Sequence, residues 1–224
     1  SSVCFGWSSL AYDEYSGGIV LNTDRYEYGY NDYYIPIGFT QRLSIANDAG
    51  IPSLLMIYTS QYSKITVPDT GSTIGIPEYL LSNSEIYRSL ISDIISALKG
   101  FSLKEESGSF DGVAIDIEFL KGETSKNNFN SFLKELKIAL DKEGKKLYVA
   151  VHPLIHPKRS SECVDGYDYR EIGNLADKVI LMAHDYDAKV LTQADMEKGF
   201  NITPLTPAED IYYALKAITD PETG

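Results

Sequence analysis

A chain of 224 residues with 43% hydrophobic content is too long and too apolar for a disordered segment, a collagen-like fibre or a minimal disulfide-stapled module, and it fits one compact domain or two. Its 20 Lys and Arg against 32 Asp and Glu leave a net charge of −12, which argues against nucleic acid as a partner because phosphate backbones are held by clustered cations. No apolar run reaches the roughly 18 to 20 residues that span a bilayer. The first residues, Ser1-Ser2-Val3-Cys4-Phe5-Gly6-Trp7, lack the basic-then-apolar pattern of a signal peptide, so any such leader has been removed or was not included.

The predicted elements alternate from residue 40 onward. Val3 to Trp7 reads as a short strand and Gly18 to Leu21 as a second, followed by a stretch in which 7 of the 17 tyrosines fall between Tyr12 and Tyr34. Tyrosine pairs an apolar ring with a polar tip, so this excess suits either a wet surface that stacks on flat or sugar-like ligands or loops closing over a core edge. A helix over Thr40 to Ala49 ends at Gly50, and Ser53 to Tyr58 is a strand apolar throughout, as a parallel sheet covered on both faces requires. The loop from Gln61 to Pro77 has the length and composition of a functional loop.

Ser82-x-x-Glu85 predicts a capping box for a helix whose stripe is Ile86, Leu90, Ile91, Ile94, Ile95 and Leu98, with Gly100 as a left-handed cap. Phe110 to Leu120 follows as a strand. A helix from Ser125 to Glu143 stops at Gly144, and Leu147 to Val151 is the next strand. A short helix over Tyr169 to Leu175, a strand over Lys178 to Ala183 and a helix opened by Thr206-Pro207-Ala208-Glu209 complete the series. About six βα units result, whereas a closed (β/α)8 barrel needs eight and roughly 250 residues. The fold expected is α/β, a TIM barrel truncated after about six units, with an open barrel or a doubly wound sheet as alternatives.

The chemistry concentrates in Phe110-Asp111-Gly112-Val113-Ala114-Ile115-Asp116-Ile117-Glu118-Phe119-Leu120. Alternation along a strand sends Val113, Ile115 and Ile117 one way and Ala114, Asp116 and Glu118 the other. Two carboxylates on the inner face at the carboxyl end of a parallel strand stand where barrel enzymes keep catalytic groups. Their Cα atoms lie about 6.6 to 7 Å apart along the strand. Repulsion raises the pKa of one, giving a proton donor beside an ionised partner, which suits glycosidic cleavage and equally a divalent-metal site.

Phe-Asp-Gly-x-x-x-Asp-Ile-Glu resembles the signature of glycoside hydrolase family 18, which holds chitinases, endo-N-acetylglucosaminidases and spore or cell-wall glycosidases. The family's Asp-x-x-Asp-x-Asp-x-Glu falls on Asp111, Ala114, Asp116 and Glu118, with alanine replacing one acid. Ile180-Leu181-Met182-Ala183-His184-Asp185-Tyr186 is similar to the family's later strand ending in Met-x-Tyr-Asp, with His184 in place of the tyrosine. The resemblance implies one catalytic domain over residues 1–224, incomplete at its carboxyl end, in which Glu118 is the general acid and base and Asp116 orients the substrate's acetamide. It makes Asp111, Met182, His184, Asp185, Trp7 and Tyr58 substrate-side candidates, although Tyr58 and Tyr148 also suit a core and Trp7 reads equally as core or sugar platform.

The implied substrate is a glycan containing N-acetylglucosamine, chitin, peptidoglycan or an N-glycan core, met outside the cell by a secreted or surface protein. No cofactor and no metal is implied, since His152, His156 and His184 lack metal-ligand spacing; His152, at the end of a strand, would lie near the active face. The alternative is a lectin-like protein on a degenerate barrel, which Ala114 favours and Glu118 opposes. Cys4 and Cys163 read as buried thiols rather than a disulfide.

Overall fold

A computed structural model describes residues 1–67, 70–154, 165–184, 192–197, 199 and 208–220. Its frame is a six-stranded sheet formed by β1 (Val3–Asp13), β2 (Gly18–Asn22), β3 (Ser53–Ser60), β8 (Gly112–Glu118), β9 (Lys146–Val151) and β10 (Lys178–Leu181). Two small hairpins insert between these strands, β4 (Lys64–Thr66) with β5 (Thr73–Gly75) and β6 (Phe101–Leu103) with β7 (Glu106–Gly108). The helices are α1 (Phe39–Asp48), α2 (Ile76–Leu81), α3 (Ser84–Lys99), α4 (Gly122–Lys142), α5 (Tyr169–Leu175), α6 (Gln193–Glu197) and α7 (Ala208–Ile218).

The sheet order is β10-β9-β8-β3-β1-β2, with β2 antiparallel to β1 and every other pairing parallel. From β1 to β10 the parallel strands follow chain order without reversal. That is the winding of a barrel; a doubly wound sheet doubles back at a switch point. Among the described residues the sheet is open, a parallel arc of five strands with β2 added at its edge.

Each strand presents one face to the helices and one away from them. Leu55, Ile57, Val113, Ile115, Ile117, Leu147, Val149 and Val151 are buried in the main core, with the stripe Leu90, Ile91, Ile94 and Leu98 of α3 and Phe129, Phe132, Leu133, Leu136 and Leu140 of α4. On the opposite face Leu54, Ala114 and Tyr148 form a separate apolar cluster with Cys4 and Met56 packed against it. Tyr87 and Phe132 meet edge-on at 5.9 Å between α3 and α4, and Glu135 accepts from Tyr87 Oη at 2.9 Å and Arg88 Nε at 2.7 Å.

Element boundaries depart from expectation where caps and tertiary contacts compete. Asn83, not Ser82, caps α3, its Oδ1 accepting from the amides of Glu85 and Ile86, while Ser82 closes the preceding short α2. Gly100 is extended at φ −171 rather than left-handed, because the chain leads directly into β6. Gly144 does take the positive φ, 64, that ends α4. β1 runs six residues past Trp7 to Asp13 because its second half pairs with β2. The capping residues Thr206 and Pro207, with His156 and Cys163, lie outside the described residues. Cys4 is a free, half-buried thiol whose pKa burial pushes up.

Candidate active site

The acid pair stands on β8, near the middle of the sheet. The β3–β8 register sets Met56 beside Ala114, Tyr58 beside Asp116 and Ser60 beside Glu118, so the inner face changes from apolar to acidic within four residues toward the carboxyl end. Asp116 is only 9% exposed and its Oδ1 has no hydrogen-bond partner. Burial, and then the charge of Glu118, push Asp116 from its ordinary 3.8 up to about 6, against a smaller opposing effect of His184. Glu118 is raised too, chiefly by burial, with His184 again opposing. Two carboxyl groups with perturbed proton affinity therefore share one end of the sheet.

The turn after Glu118 is held from several sides. Phe119 is left-handed at φ 60, uncommon for a bulky side chain, and its ring packs on Tyr62 at 4.8 Å and His152 at 4.6 Å. Tyr167 Oη donates to the carbonyl of Ile117 at 2.7 Å, Gly166 donates to Leu120 at 3.0 Å, and the amide of Gly122 donates to Asp165 at 2.7 Å. Gly166 is required here, because a Cβ at that position would fall 2.6 Å from Leu120 Cβ. The amide of Gln61 donates to the Glu118 carbonyl at 3.1 Å, tying the turn to β3.

Tyr33 stacks on Tyr58 at 4.5 Å with 19° between the rings, and both phenols are raised, first by burial and further by the nearby acids. From this stack an open groove of about 590 Å3 leads across β1 past Tyr12, Asn31, Tyr28 and Tyr30. The tyrosine-rich stretch that forms its wall is organised around Arg25. The guanidinium lies 4.7 Å from the Tyr34 ring centre, 5.5 Å from Tyr30 and 5.8 Å from Tyr26, and it donates to Tyr34 Oη and Tyr30 Oη. Asn31 is a second hub, its amide donating to the carbonyls of Asp24 and Tyr33 and its oxygen accepting from Ser9 Oγ and the Tyr33 amide.

The structure sorts the sequence candidates. Asp116, Glu118 and Tyr58 come together, His184 is exposed where its charge acts on both acids, and Met182 is buried with its amide donating to Val151 at 3.0 Å. Asp111 does not join them. It precedes β8 at the amino end, where its carboxylate accepts from the Ser53 amide at 2.8 Å and Ser53 Oγ at 3.2 Å, seven residues or roughly 23 Å of strand away from Glu118. Trp7 does not join them either. It stacks on Phe5 at 4.0 Å and meets Phe39 and Phe110 edge-on, half-buried against the main core, so of the two readings its contacts follow the core one. Asp185 lies outside the described residues.

Tyr33, Phe119 and Tyr167 carry no motif. Only the density of tyrosine near residue 33 pointed toward the site. Among the described residues no three His, Cys, Asp or Glu side chains are grouped to hold a metal ion.

Paired acids thus stand at the carboxyl edge of a parallel sheet wound in one direction, with an aromatic groove leading away from them. The chain belongs to glycosyl hydrolases family 18, whose profile matches residues 77–222. It is 22% identical over 134 residues to the cortical fragment-lytic enzyme of Bacillus subtilis (strain 168), covering 60% of this chain and 28% of that one. Among solved structures it is similar to the spore cortex-lytic enzyme SleL of Bacillus cereus, with a TM-score of 0.63, 16% identity and coverage of 100% of this chain and 42% of that one. The chitinase of Chromobacterium violaceum ATCC 12472 gives a TM-score of 0.62, 17% identity and coverage of 96% and 55%. The chain thus spans well under two thirds of the length of each of these proteins, and at these identities the structural likeness speaks to fold, a TIM-barrel-like α/β architecture.

Proposed function

We propose that residues 1–224 form one catalytic domain, part of a (β/α)8 barrel, which hydrolyses β-linked glycans containing N-acetylglucosamine by a retaining, substrate-assisted mechanism. The observation that carries this reading is the Asp116–Glu118 pair on the inner face of β8, Asp116 buried and Glu118 half-buried, with both proton affinities raised and with Asp116 Oδ1 lacking a partner. Glu118 protonates the glycosidic oxygen while the carbonyl oxygen of the sugar's 2-acetamido group attacks the anomeric carbon, giving an oxazolinium ion. Asp116 Oδ1 accepts from the acetamide N–H and offsets the developing positive charge. Glu118 then takes a proton from water as it opens the ring, and configuration is retained.

Proton placement follows from burial. Asp116, the more deeply buried acid, takes up the shared proton first, and an acetamide N–H bound at Oδ1 stabilises its ionised form and passes the proton to Glu118. Met182, His184 and Tyr58 line the sugar site, and imidazole at His184 replaces a phenol as hydrogen-bond donor to the acetamide oxygen. The substrates are chitin, peptidoglycan or an N-glycan core, reached by a secreted or surface-held protein. Among the described residues no helix is long and apolar enough to cross a membrane.

The test is Glu118→Gln in the full-length protein. Cleavage of N-acetylglucosamine polymers falls by at least about 10²-fold, while binding of chitooligosaccharides persists. Unchanged cleavage in this variant removes the proposal. The competing reading, sugar binding without turnover, is favoured by the apolar packing of Ala114 against Leu54 and Tyr148, and it predicts that the wild type binds oligomers and leaves them intact.

A further inference from the structure

His152 follows the last residue of β9. The register pairs Ala114 with Tyr148 and Ile115 with Val149, so alternation carries Tyr148, Ala150 and His152 along the inner face and brings His152 level with Glu118 on the neighbouring strand. Its ring is clamped between two aromatics, Phe119 at 4.6 Å and Tyr167 at 6.0 Å, and its backbone carbonyl accepts from Tyr169 Oη at 2.9 Å. Phe119 is the residue after the candidate acid, and Tyr167 bonds the carbonyl of the residue before it. The clamp therefore fixes the imidazole relative to Glu118 itself.

That clamp is apolar and would hold a phenylalanine equally well. Yet the position holds an imidazole whose Nε2 is buried without a hydrogen-bond partner among the described residues, as is Asp116 Oδ1. A buried polar atom left unpaired is destabilising, so two such orphans toward the same end of the inner face are explained by a ligand that satisfies both. Burial and the charge of His184 hold the His152 imidazole below its ordinary 6.5, keeping it neutral at neutral pH. A neutral imidazole has one donor and one acceptor nitrogen, which suits a hydroxyl, a group that both donates and accepts.

We propose that His152 is a substrate contact, its Nε2 forming a hydrogen bond with a hydroxyl of the sugar bound beside Glu118. This rests on the glycosidase reading above. The group is set by its aromatic clamp before substrate arrives, so it adds specificity without a further ordering cost.

The experiment uses the full-length protein carrying Glu118→Gln, so that binding is read without turnover, and titrates chitooligosaccharides by calorimetry. Adding His152→Phe keeps the ring stack and deletes the nitrogens, and affinity falls roughly 3- to 10-fold, the worth of one hydrogen bond. Adding His152→Gln instead restores a polar group and recovers part of that loss, with thermal unfolding showing that both double variants fold. Unchanged affinity in the His152→Phe variant overturns the inference alone. So does a glutamine variant that folds normally and binds no better than the phenylalanine one, since the loss then comes from shape. Absence of binding by the Glu118→Gln protein itself overturns the glycosidase reading, and this inference with it.

Discussion

Asp116 is held in the fold at the expense of stability. Its folded-state pKa of about 6 lies above the ordinary 3.8, so between those values the folded protein keeps a proton that the unfolded chain has released. Stability therefore declines as pH rises from about 4 to about 6 and is flat above. Asp116→Asn removes this penalty and stabilises the protein at pH 7 by about 2 to 3 kcal/mol, an advantage that disappears toward pH 4 in denaturant titrations. Catalysis depends on the same proton. The alkaline limb of kcat/KM, which reports the free enzyme, falls off above about pH 6 as the pair gives up the one proton that Asp116 passes to Glu118, and the limb of kcat lies lower because the bound acetamide stabilises the ionised Asp116. Coincident limbs in the two profiles would contradict the proton shift from Asp116 to Glu118. At this scale the sequence set Asp116 and Glu118 on one face, because alternation on a strand assigns faces without any tertiary information. It misplaced Asp111 and left Trp7 open between core and platform, since the surroundings of both depend on which elements pack above and below them. It missed Phe119, whose left-handed backbone is imposed by the turn that Tyr167 and Gly166 strap in place.

Among the elements, β8 depends on a close approach that only glycine allows. A Cβ on Gly112 would meet the carbonyl oxygen of Lys146 and lie 2.8 Å from the Lys146 amide nitrogen, both in the adjoining backbone of β9. Gly112→Ala therefore forces β8 and β9 apart at the start of their pairing and destabilises by about 3 kcal/mol or more in urea titrations, as for other backbone clashes in a buried sheet. A cost below about 0.5 kcal/mol would show that the strands adjust freely. The long elements were legible from periodicity: α3 and α4 each bury one stripe, and β3 is apolar almost throughout. The hairpins β4–β5 and β6–β7 were not, since strands of three residues are too short for alternation to stand out from loop composition. The cap of α3 passed from Ser82 to Asn83 because the residues before it form a helix of their own.

In the whole molecule, alternation of strand and helix separated a βα fold from a sandwich or bundle, but only the strand order distinguished barrel winding from a doubly wound sheet. That order rests on pairings between residues far apart in the chain, which no local pattern encodes. The net charge of −12 acts at the same scale. A neutral chitooligosaccharide should show kcat/KM that changes by less than about twofold between about 20 and about 200 mM salt, whereas a glycan strand bearing free carboxylates should be processed faster as salt rises and screens the protein. An equal response of both substrates, measured side by side, would exclude long-range repulsion as a determinant of choice.

The apolar cluster of Leu54, Ala114 and Tyr148 beneath Asp116 and Glu118 bears on that repulsion directly. It is a poorly polarisable floor under two acidic groups, so their field lines are turned away from the protein and out through the mouth. An aspartate at position 114 would have made that floor polar and spread the field inward. With alanine there, the two acids project their negative potential into solvent, so that on the proposed glycosidase reading selection by charge would begin before a sugar touches the protein.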